Sequence, residues 1–92
     1  MIPVRVTPAA HRDLTRLVAW LAPKSARAAD AAADAMNASI ESLGEMAARG
    51  RPIGSELREL PVQFGRYGYV IRYRVGTVEV VVTSVRHVRE RR

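Results

Sequence analysis

The chain has 92 residues, no cysteine, 48% hydrophobic residues and a formal net charge of +6. This length predicts one domain, residues 1–92, with a modest core, because so short a chain buries only about 60–65% of its unfolded surface. Without cysteine there is neither a disulfide framework nor a thiolate nucleophile, and we expect a cytoplasmic protein with no signal peptide and no membrane span.

The first elements predicted along the chain are a short strand and a helix. Apolar residues alternate over 2–6, and Pro3 favours an edge position, because proline cannot donate a hydrogen bond to a neighbouring strand. Thr7 suits an N-cap and Pro8 the first helical position. One apolar stripe then follows at helical spacing: Ala10, Leu14, Leu17, Val18 and Leu21. Pro23 ends this helix.

A second, alanine-rich helix is predicted over residues 26–49. Ser25 can cap its start, and Gly50 suits the position just after its end. Ten alanines between residues 26 and 48 raise its helix propensity. Its apolar face comprises Ala29, Ala32, Met36, Ile40, Leu43 and Ala47. With a short linker between them, the two helices predict an antiparallel hairpin.

The rest of the chain predicts a loop and three strands. RGRPIGSE, residues 49–56, has the glycines and proline typical of a loop. Strand patterns follow in LRELPVQF, YGYVIRYRV and TVEVVVTSV, the first interrupted by Pro61. The order β-α-α-β-β-β predicts an α+β fold, in which a small, mostly antiparallel sheet packs on the helical hairpin.

Positive charge is concentrated in residues 57–92, which hold eight Arg and three Glu, a net of +5, whereas residues 1–56 contribute +1. If Tyr69, Ile71, Tyr73 and Val75 face the helices, strand alternation turns Arg72 and Arg74 to the open face. We expect four further residues to join them in one basic surface: Arg58, Arg86, His87 and Arg89. Such a surface suits phosphates or an acidic partner protein, and the alternative is a role in solubility alone.

His87 is the candidate for acid–base chemistry. Arg86 and Arg89 disfavour its protonated form, and a neutral imidazole beside a phosphate can act as a general base on a ribose hydroxyl. The alternative is a histidine that serves packing or hydrogen bonding. His11 is expected on the exposed side of the first helix. Two distant histidines without cysteine form no recognisable metal site, and no phosphate-binding loop is present, so we expect no metal and no cofactor.

In order, these segments resemble the RelE/ParE superfamily of toxins from bacterial type II toxin–antitoxin modules. VRVTPAAHRDLTRLVAWLA is similar to the family's first strand and helix, and GRPIG, LREL, GRYGYVIRYRV and VVVTSVRHVRE are similar to its loop and closing strands. The resemblance implies a toxin that arrests growth when unopposed. It also implies an acidic, partly disordered antitoxin, encoded beside the toxin, that folds over the toxin surface in a hetero-oligomeric complex.

The superfamily has two branches, which implies two possible targets. RelE-like members cleave mRNA in the ribosome, and resemblance to them implies Arg58, His87 and Arg89 as catalytic residues. ParE-like members inhibit DNA gyrase. For either target or the antitoxin, we expect one basic binding surface: Arg58, Arg72, Arg74, Arg86, Arg89 and Glu90.

Three departures from the nuclease branch favour a ParE-like toxin. No aromatic residue follows Glu90, where the nuclease branch often has a tyrosine. Val70 stands near the place of the nuclease branch's central-strand arginine, and residues 49–56 lack a lysine pair. A basic binding module without toxicity is the third hypothesis.

Overall fold

A computed structural model describes residues 1–90 and contains a five-stranded sheet with two helices on one face. The strands are β1 (Val4–Val6), β2 (Arg51–Ile53), β3 (Leu57–Phe64), β4 (Tyr67–Val75) and β5 (Val80–His87). The helices are α1 (Pro8–Leu21) and α2 (Ala26–Ser42). The spatial order of the strands is β1-β5-β4-β3-β2. The predicted α+β class is confirmed, although the sheet contains one strand more than the sequence pattern indicated.

β1 forms one edge of the sheet, as Pro3 predicted. It pairs in parallel with β5, with Val4 opposite Val80 and Val6 opposite Val82. All the other pairings in the described sheet are antiparallel. The first and last strands of residues 1–90 are therefore neighbours.

α1 begins as its sequence predicts. The Thr7 hydroxyl accepts a hydrogen bond from Ala10 N at 3.1 Å, and Pro8 occupies the first helical position. Ala10 and Leu17 are buried, and the rest of the apolar stripe is partly buried against the core. Asp13 is buried on the same side of the helix, which the apolar pattern did not predict.

α2 starts at the predicted cap, Ser25, but ends at Ser42, so the prediction of a helix to residue 49 is wrong. The chain turns at Gly44, whose carbonyl accepts a hydrogen bond from Ile2 N at 2.9 Å. A Cβ at Gly44 would lie 2.9 Å from the Ile2 carbonyl, so this close approach of two backbones requires glycine. Residues 47–49 form only a short 3₁₀ turn, and Gly50 is extended rather than a helix cap.

The segment predicted as a loop contains β2, so that prediction is wrong for Arg51–Ile53. β2 pairs with residues 57–59 of β3 and covers only that part of the strand. β3 nevertheless runs unbroken through Pro61, which lies beyond the end of β2. Proline is tolerated at position 61 because β3 has no neighbouring strand on its β2 side at that point.

The core lies between the helices and one face of the sheet. Tyr69, Ile71 and Tyr73 face the helices as predicted, whereas Val75 is 40% exposed near the end of β4. The fully buried large side chains are Tyr73, Met36, Leu43, Ile71, Val80, Val82 and Val85.

A register shift in β5 determines where its last residues point. Arg72 lies opposite Ser84 but Tyr73 lies opposite Val82, so Thr83 is the extra residue of a β-bulge. Its hydroxyl donates to the Arg72 carbonyl at 3.2 Å. Because of the bulge, both Val82 and Val85 face the core, and the residues that follow alternate from that new phase.

Candidate functional site

Strand pairing places the predicted basic residues on two opposite faces of the sheet. Residues directly opposite each other in neighbouring strands share a face. Arg72 lies opposite Glu59, and Arg86 lies opposite Val70, so both arginines are on the open face. Arg58 lies opposite Tyr73 and His87 opposite Tyr69, which places both residues on the helix side. The expectation of one surface that includes Arg58 and His87 with Arg72 is therefore wrong.

Three arginines on the open face surround one carboxylate, and we call these residues the Glu59 cluster: Glu59, Arg51, Arg72 and Arg86. Arg72 donates from Nε and Nη2 to Glu59 Oε2, at 3.2 and 2.9 Å. Arg86 and Arg51 lie at 3.9 and 3.7 Å from the carboxylate oxygens. The Glu59 side chain is only 7% exposed, although no helix covers this face, so the arginines and neighbouring strands bury it.

The Glu59 cluster is an arginine site that already holds an anion. A carboxylate and a phosphate accept the same charge-assisted hydrogen bonds from guanidinium groups. Glu59 therefore occupies the place where an external phosphate oxygen would bind Arg72. Glu59 was not predicted as a site residue, although its position in LREL, among the strand arginines, was the available signal.

Arg74 is on the open face but outside the Glu59 cluster. It is exposed and lies opposite Leu57 and Val81. A side-chain hydrogen bond from Arg5, helped by the charges of Arg5 and Arg74, holds the pKa of Glu79 below its usual value. Arg74 is thus a solvent-facing cation near the β4–β5 turn.

Arg58 has a structural role on the helix side. Its Nη1 donates to the Gly50 carbonyl at 2.6 Å and to the Ala48 carbonyl at 3.2 Å. The Tyr73 hydroxyl fixes the same segment, because it accepts from Gly50 N and donates to Ala47 O, both at 2.7 Å. Arg58 therefore holds the backbone before β2.

The helix side carries an open groove at the end of the sheet, which we call the α1 groove. It has a volume of about 640 Å³ and lies between the second half of α1, the β3–β4 turn and the end of β5. Its lining residues are Arg16, Leu17, Trp20, Leu21, Phe64, Gly65, Arg66, Tyr67, Tyr69, His87, Arg89 and Glu90. Burial raises the pKa of Tyr69 in its wall.

His87 lines this groove, and its ring accepts a hydrogen bond from the backbone. Its Nδ1 accepts from Arg89 N at 3.1 Å, so the neutral ring carries its proton on Nε2. The ring packs edge-on against Tyr69 and Tyr67, with centroids 5.6 and 5.9 Å apart. In this arrangement the imidazole has no free lone pair with which to act as a general base.

Arg89 and Glu90 hold the end of the described chain against the start of β4 and against α1, respectively. Arg89 donates from Nη1 to the Tyr67 hydroxyl at 3.0 Å, and its guanidinium lies 4.9 Å from the centre of the Tyr67 ring. Glu90 accepts from His87 N at 2.9 Å and forms an ion pair with Arg16 at 3.1 Å. Glu90 therefore closes the turn after β5.

Asp13 is a second residue that the sequence analysis missed. Its Oδ2 accepts from Val85 N at 2.9 Å, beyond the last pairing of β1 with β5 at Val82. The side chain thus satisfies a strand amide that has no strand partner on that side. This hydrogen bond anchors the part of β5 that carries Arg86 and His87. An acidic residue within the apolar stripe of α1 was the signal for it.

Two further observations concern metal binding and membrane insertion. Within residues 1–90, no group of three or more His, Asp or Glu side chains is arranged to hold a metal ion. In the same range, no helix combines the length and apolar character that crossing a membrane requires.

The fold and site define a class: a small α+β protein whose helical hairpin covers one side of a mostly antiparallel sheet with a basic final strand. The sequence pattern of a family described as "ParE toxin of type II toxin-antitoxin system, parDE" matches residues 4–92. The chain belongs to this family of toxins from type II toxin–antitoxin systems. The resemblance to the RelE/ParE superfamily is therefore confirmed.

Two relatives from Caulobacter vibrioides are similar over nearly their whole lengths. "Toxin RelE3" is 42% identical over 92 residues, which is all of both chains. "Toxin RelE1" is 40% identical over 89 residues, 97% of this chain and 96% of the relative. A solved structure described as "Chromosomal ParDE TA system from P. aeruginosa" superposes with a TM-score of 0.80, covering 96% of this chain and 97% of its own. At 20% identity, this match supports the fold.

Proposed function

We propose that this single-domain toxin arrests bacterial growth from the cytoplasm by binding DNA gyrase, as a ParE-like protein–protein inhibitor. One observation carries the proposal: the three residues implied for nuclease catalysis do not converge. Arg58 lies two strands and four residues away from His87, roughly 15 Å by strand geometry. Proton transfer and phosphate stabilisation require groups within hydrogen-bonding distance of one reacting centre.

The partners of these residues support the same proposal. Arg58 is bound to backbone carbonyls, and the Nδ1 lone pair of His87 is bound to Arg89 N. On the open face, Val70 lies opposite Arg86, near the place where the nuclease branch has an arginine. The cations that remain exposed suit an acidic protein surface, where they steer association and fix orientation.

The proposed physiological partner is an antitoxin encoded beside the toxin. An acidic, partly disordered antitoxin would complement the net charge of +6 and fold as it covers the toxin. Together the two chains would form a hetero-oligomer that prevents access to gyrase.

A RelE-like, ribosome-dependent endoribonuclease is the second candidate, and one feature of the α1 groove favours it. The Tyr67 hydroxyl lies 3.0 Å from Arg89 Nη1, beside the His87 ring. A phenol and a guanidinium side by side are groups that RNA cleavage can use. Under this hypothesis Tyr67, from the β3–β4 turn, would replace an aromatic residue after Glu90.

A basic binding module without toxicity is the third candidate function.

Purified toxin and two target assays test the proposal. We expect the chain to inhibit supercoiling by DNA gyrase and to leave translated mRNA intact on ribosomes. His87→Ala should change gyrase inhibition by less than about threefold, like the control Arg27→Ala on the exposed side of α2, because a protein contact needs no proton transfer. Cleavage of translated mRNA that falls about 10²–10⁴-fold in His87→Ala, with gyrase unaffected, would establish the nuclease instead.

Expression of the isolated chain separates both toxin hypotheses from the third. Growth arrest with filamentation and a DNA-damage response supports the gyrase target. Growth at the normal rate, with folded protein present at the expected level, would leave only the non-toxic binding module.

A further inference from the structure

The open face of the sheet carries its side chains in three rows that cross the strands. Residues opposite each other in neighbouring strands lie in one row. The first row comprises Arg5, Val81, Arg74, Leu57 and Ile53. The second comprises Ser84, Arg72, Glu59 and Arg51, and the third comprises Arg86, Val70 and Pro61. Four of the five strands therefore place an arginine on this face, and β3 places Glu59 among them.

The three rows lack a surface on which nucleobases could stack. None of their residues is aromatic, whereas proteins that hold single-stranded nucleic acid through its bases use aromatic rings as platforms. A nucleic acid on this face would therefore be bound through its phosphates. Arginine suits that contact, because its planar guanidinium donates two parallel hydrogen bonds to phosphate oxygens. The face thus has the chemistry of a phosphodiester site without base recognition.

Glu59 prevents Arg72 from making those hydrogen bonds to an external anion. Nε and Nη2 of Arg72 both donate to Glu59 Oε2, at 3.2 and 2.9 Å. Arg51 and Arg86 lie 3.7 and 3.9 Å from the oxygens of this carboxylate, where charge attraction remains but no hydrogen bond forms. The Glu59 cluster therefore gathers three guanidinium groups around one carboxylate, as they would gather around a bound phosphate.

Stability alone is a weak reason to bury a carboxylate at this position. The attraction within a buried ion pair only about offsets the cost of removing both charges from water, and apolar side chains of similar size often pack as well. Leu57 and Pro61, which flank Glu59 on the open side of β3, are such apolar residues. The effect of Glu59 on the three arginines explains the buried carboxylate better.

Glu59 competes with external phosphates from a favourable position. Because β3 holds the carboxylate beside the guanidinium groups, its effective concentration is on the order of millimolar or higher, and pairing costs no translational freedom. Each phosphodiester also carries one negative charge, so it has no advantage in charge over the carboxylate that it would displace. A nucleic-acid backbone at lower concentration would leave the pair of Arg72 and Glu59 intact.

We propose that Glu59 is a specificity-determining residue, which occupies a phosphodiester-binding site and excludes nucleic-acid backbones from the open face. The site consists of Arg72, Arg86 and Arg51, and its ligand class is a single-stranded nucleic-acid backbone. A chain with a net charge of +6 attracts nucleic acid nonspecifically, and the internal anion limits this attraction where three arginines meet. The inference goes beyond the proposed function and does not depend on the target of the toxin.

The direct test removes the charge of Glu59 and keeps the shape of its side chain. The probe is a short abasic strand of deoxyribose phosphates, which offers phosphodiesters without bases. Glu59→Gln should bind this probe about three- to tenfold more tightly than wild type at about 50 mM salt, because Arg72 and Arg86 lose their counter-charge. DNA and RNA strands of equal length should show the same gain within about twofold. A gain confined to one of them would overturn a site for phosphates alone.

Two arginines of β4 form a matched pair that locates the site. Arg72 belongs to the Glu59 cluster, whereas Arg74 lies on the same face outside it. In an Arg72→Gln background, the gain from Glu59→Gln should fall below about twofold, since the main donor is gone. In an Arg74→Gln background, the gain should remain about three- to tenfold. Equal gains in the two backgrounds would overturn the site, because net charge alone would then explain the binding.

Wild-type protein provides a test that needs no variant to fold. In an NMR titration, the abasic probe at up to about 1 mM should leave the Arg72 Nε–H signal unchanged, because Glu59 remains its acceptor. In Glu59→Gln, whose fold circular dichroism checks, the same titration should move that signal. A wild-type Arg72 signal that moves as readily shows that Glu59 excludes nothing. A folded Glu59→Gln variant without any gain in affinity shows that no phosphate site lies beneath the carboxylate. Either result would overturn the inference.

Discussion

The Glu59 cluster and the α1 groove use similar cations in opposite ways. In the cluster, Arg72 turns both donors onto a buried carboxylate, so much of the positive charge is neutralised inside the molecule. In the groove, the Arg89 guanidinium lies over the Tyr67 ring and donates to its hydroxyl, which are uncharged acceptors and do not neutralise it. A basic sequence therefore does not indicate which arginines can bind an external ligand. That depends on whether each guanidinium is already paired with a carboxylate of the same chain.

One strand supplies both regions. After the bulge at Thr83, Arg86 points to the Glu59 cluster and His87 to the α1 groove. Consecutive residues of a strand point to opposite faces, so RHVRE, residues 86–90, contributes side chains to both surfaces. Asp13 anchors this strand end through Val85 N, and so supports both.

The largest expected effect is a loss of stability when the internal anion, Glu59, is removed. Glu59→Ala should lower the free energy of unfolding by about 2–3 kcal/mol, because two partly buried arginines lose their counter-charge. Arg51 adds little to this figure, since it is 77% exposed. Chemical denaturation measures the loss. The control Glu56→Ala, in the exposed β2–β3 turn, should stay within about 0.5 kcal/mol of wild type. Equal losses in the two variants would contradict the role of Glu59.

The next effect concerns polyanion binding by the open face. Glu59→Gln keeps the side-chain shape but frees one positive charge at Arg72 and Arg86. We expect a single-stranded oligonucleotide to bind roughly three- to tenfold more tightly at 50 mM salt, with the gain lost near 0.5 M. Fluorescence anisotropy measures both affinities.

A matched charge change tests whether position matters in that experiment. Glu45→Gln alters the net charge by the same amount, but Glu45 is exposed on the segment after α2. It should change oligonucleotide affinity less than about twofold. An equal gain in both variants would mean that net charge alone, rather than the Glu59 cluster, controls polyanion binding.

The smallest effect probes the groove wall at alkaline pH. Burial raises the pKa of Tyr69, so above about pH 10 the unfolded chain loses this proton more readily than the folded chain does. The free energy of unfolding should therefore fall as pH rises through this range. Tyr69→Phe should lose less stability than wild type between pH 9 and pH 11, as followed by urea denaturation. Parallel curves would show that the phenol titrates alike in both states.

Local chemistry made much of the fold predictable. Thr7 with Pro8, and Ser25, mark helix starts because their side chains or missing amide suit the first helical turn. The alternation of Tyr69, Ile71 and Tyr73 gave the buried face of β4 correctly. β2 was missed because three residues that include a proline carry too little periodicity, and its pairing with β3 is a tertiary contact.

The site was less predictable than the fold. The α1 groove combines residues from α1, the β3–β4 turn and the end of β5. No residue spacing along the chain predicts that these three elements lie together. The faces of Arg58 and His87 depend on register, and for β5 also on the bulge at Thr83. Glu59 and Asp13 gained their roles from partners in other elements.

The parallel pairing of β1 with β5 has a consequence for synthesis of the protein. The ribosome makes Val4–Val6 long before it makes their strand partners, Val80–Val82. β5 must also enter between β1 and β4, so this long-range pairing completes the sheet late. A chain interrupted before Val80 lacks Arg86, His87 and Arg89, and with them part of both surfaces. Unfinished translation products therefore carry neither the complete Glu59 cluster nor the complete α1 groove.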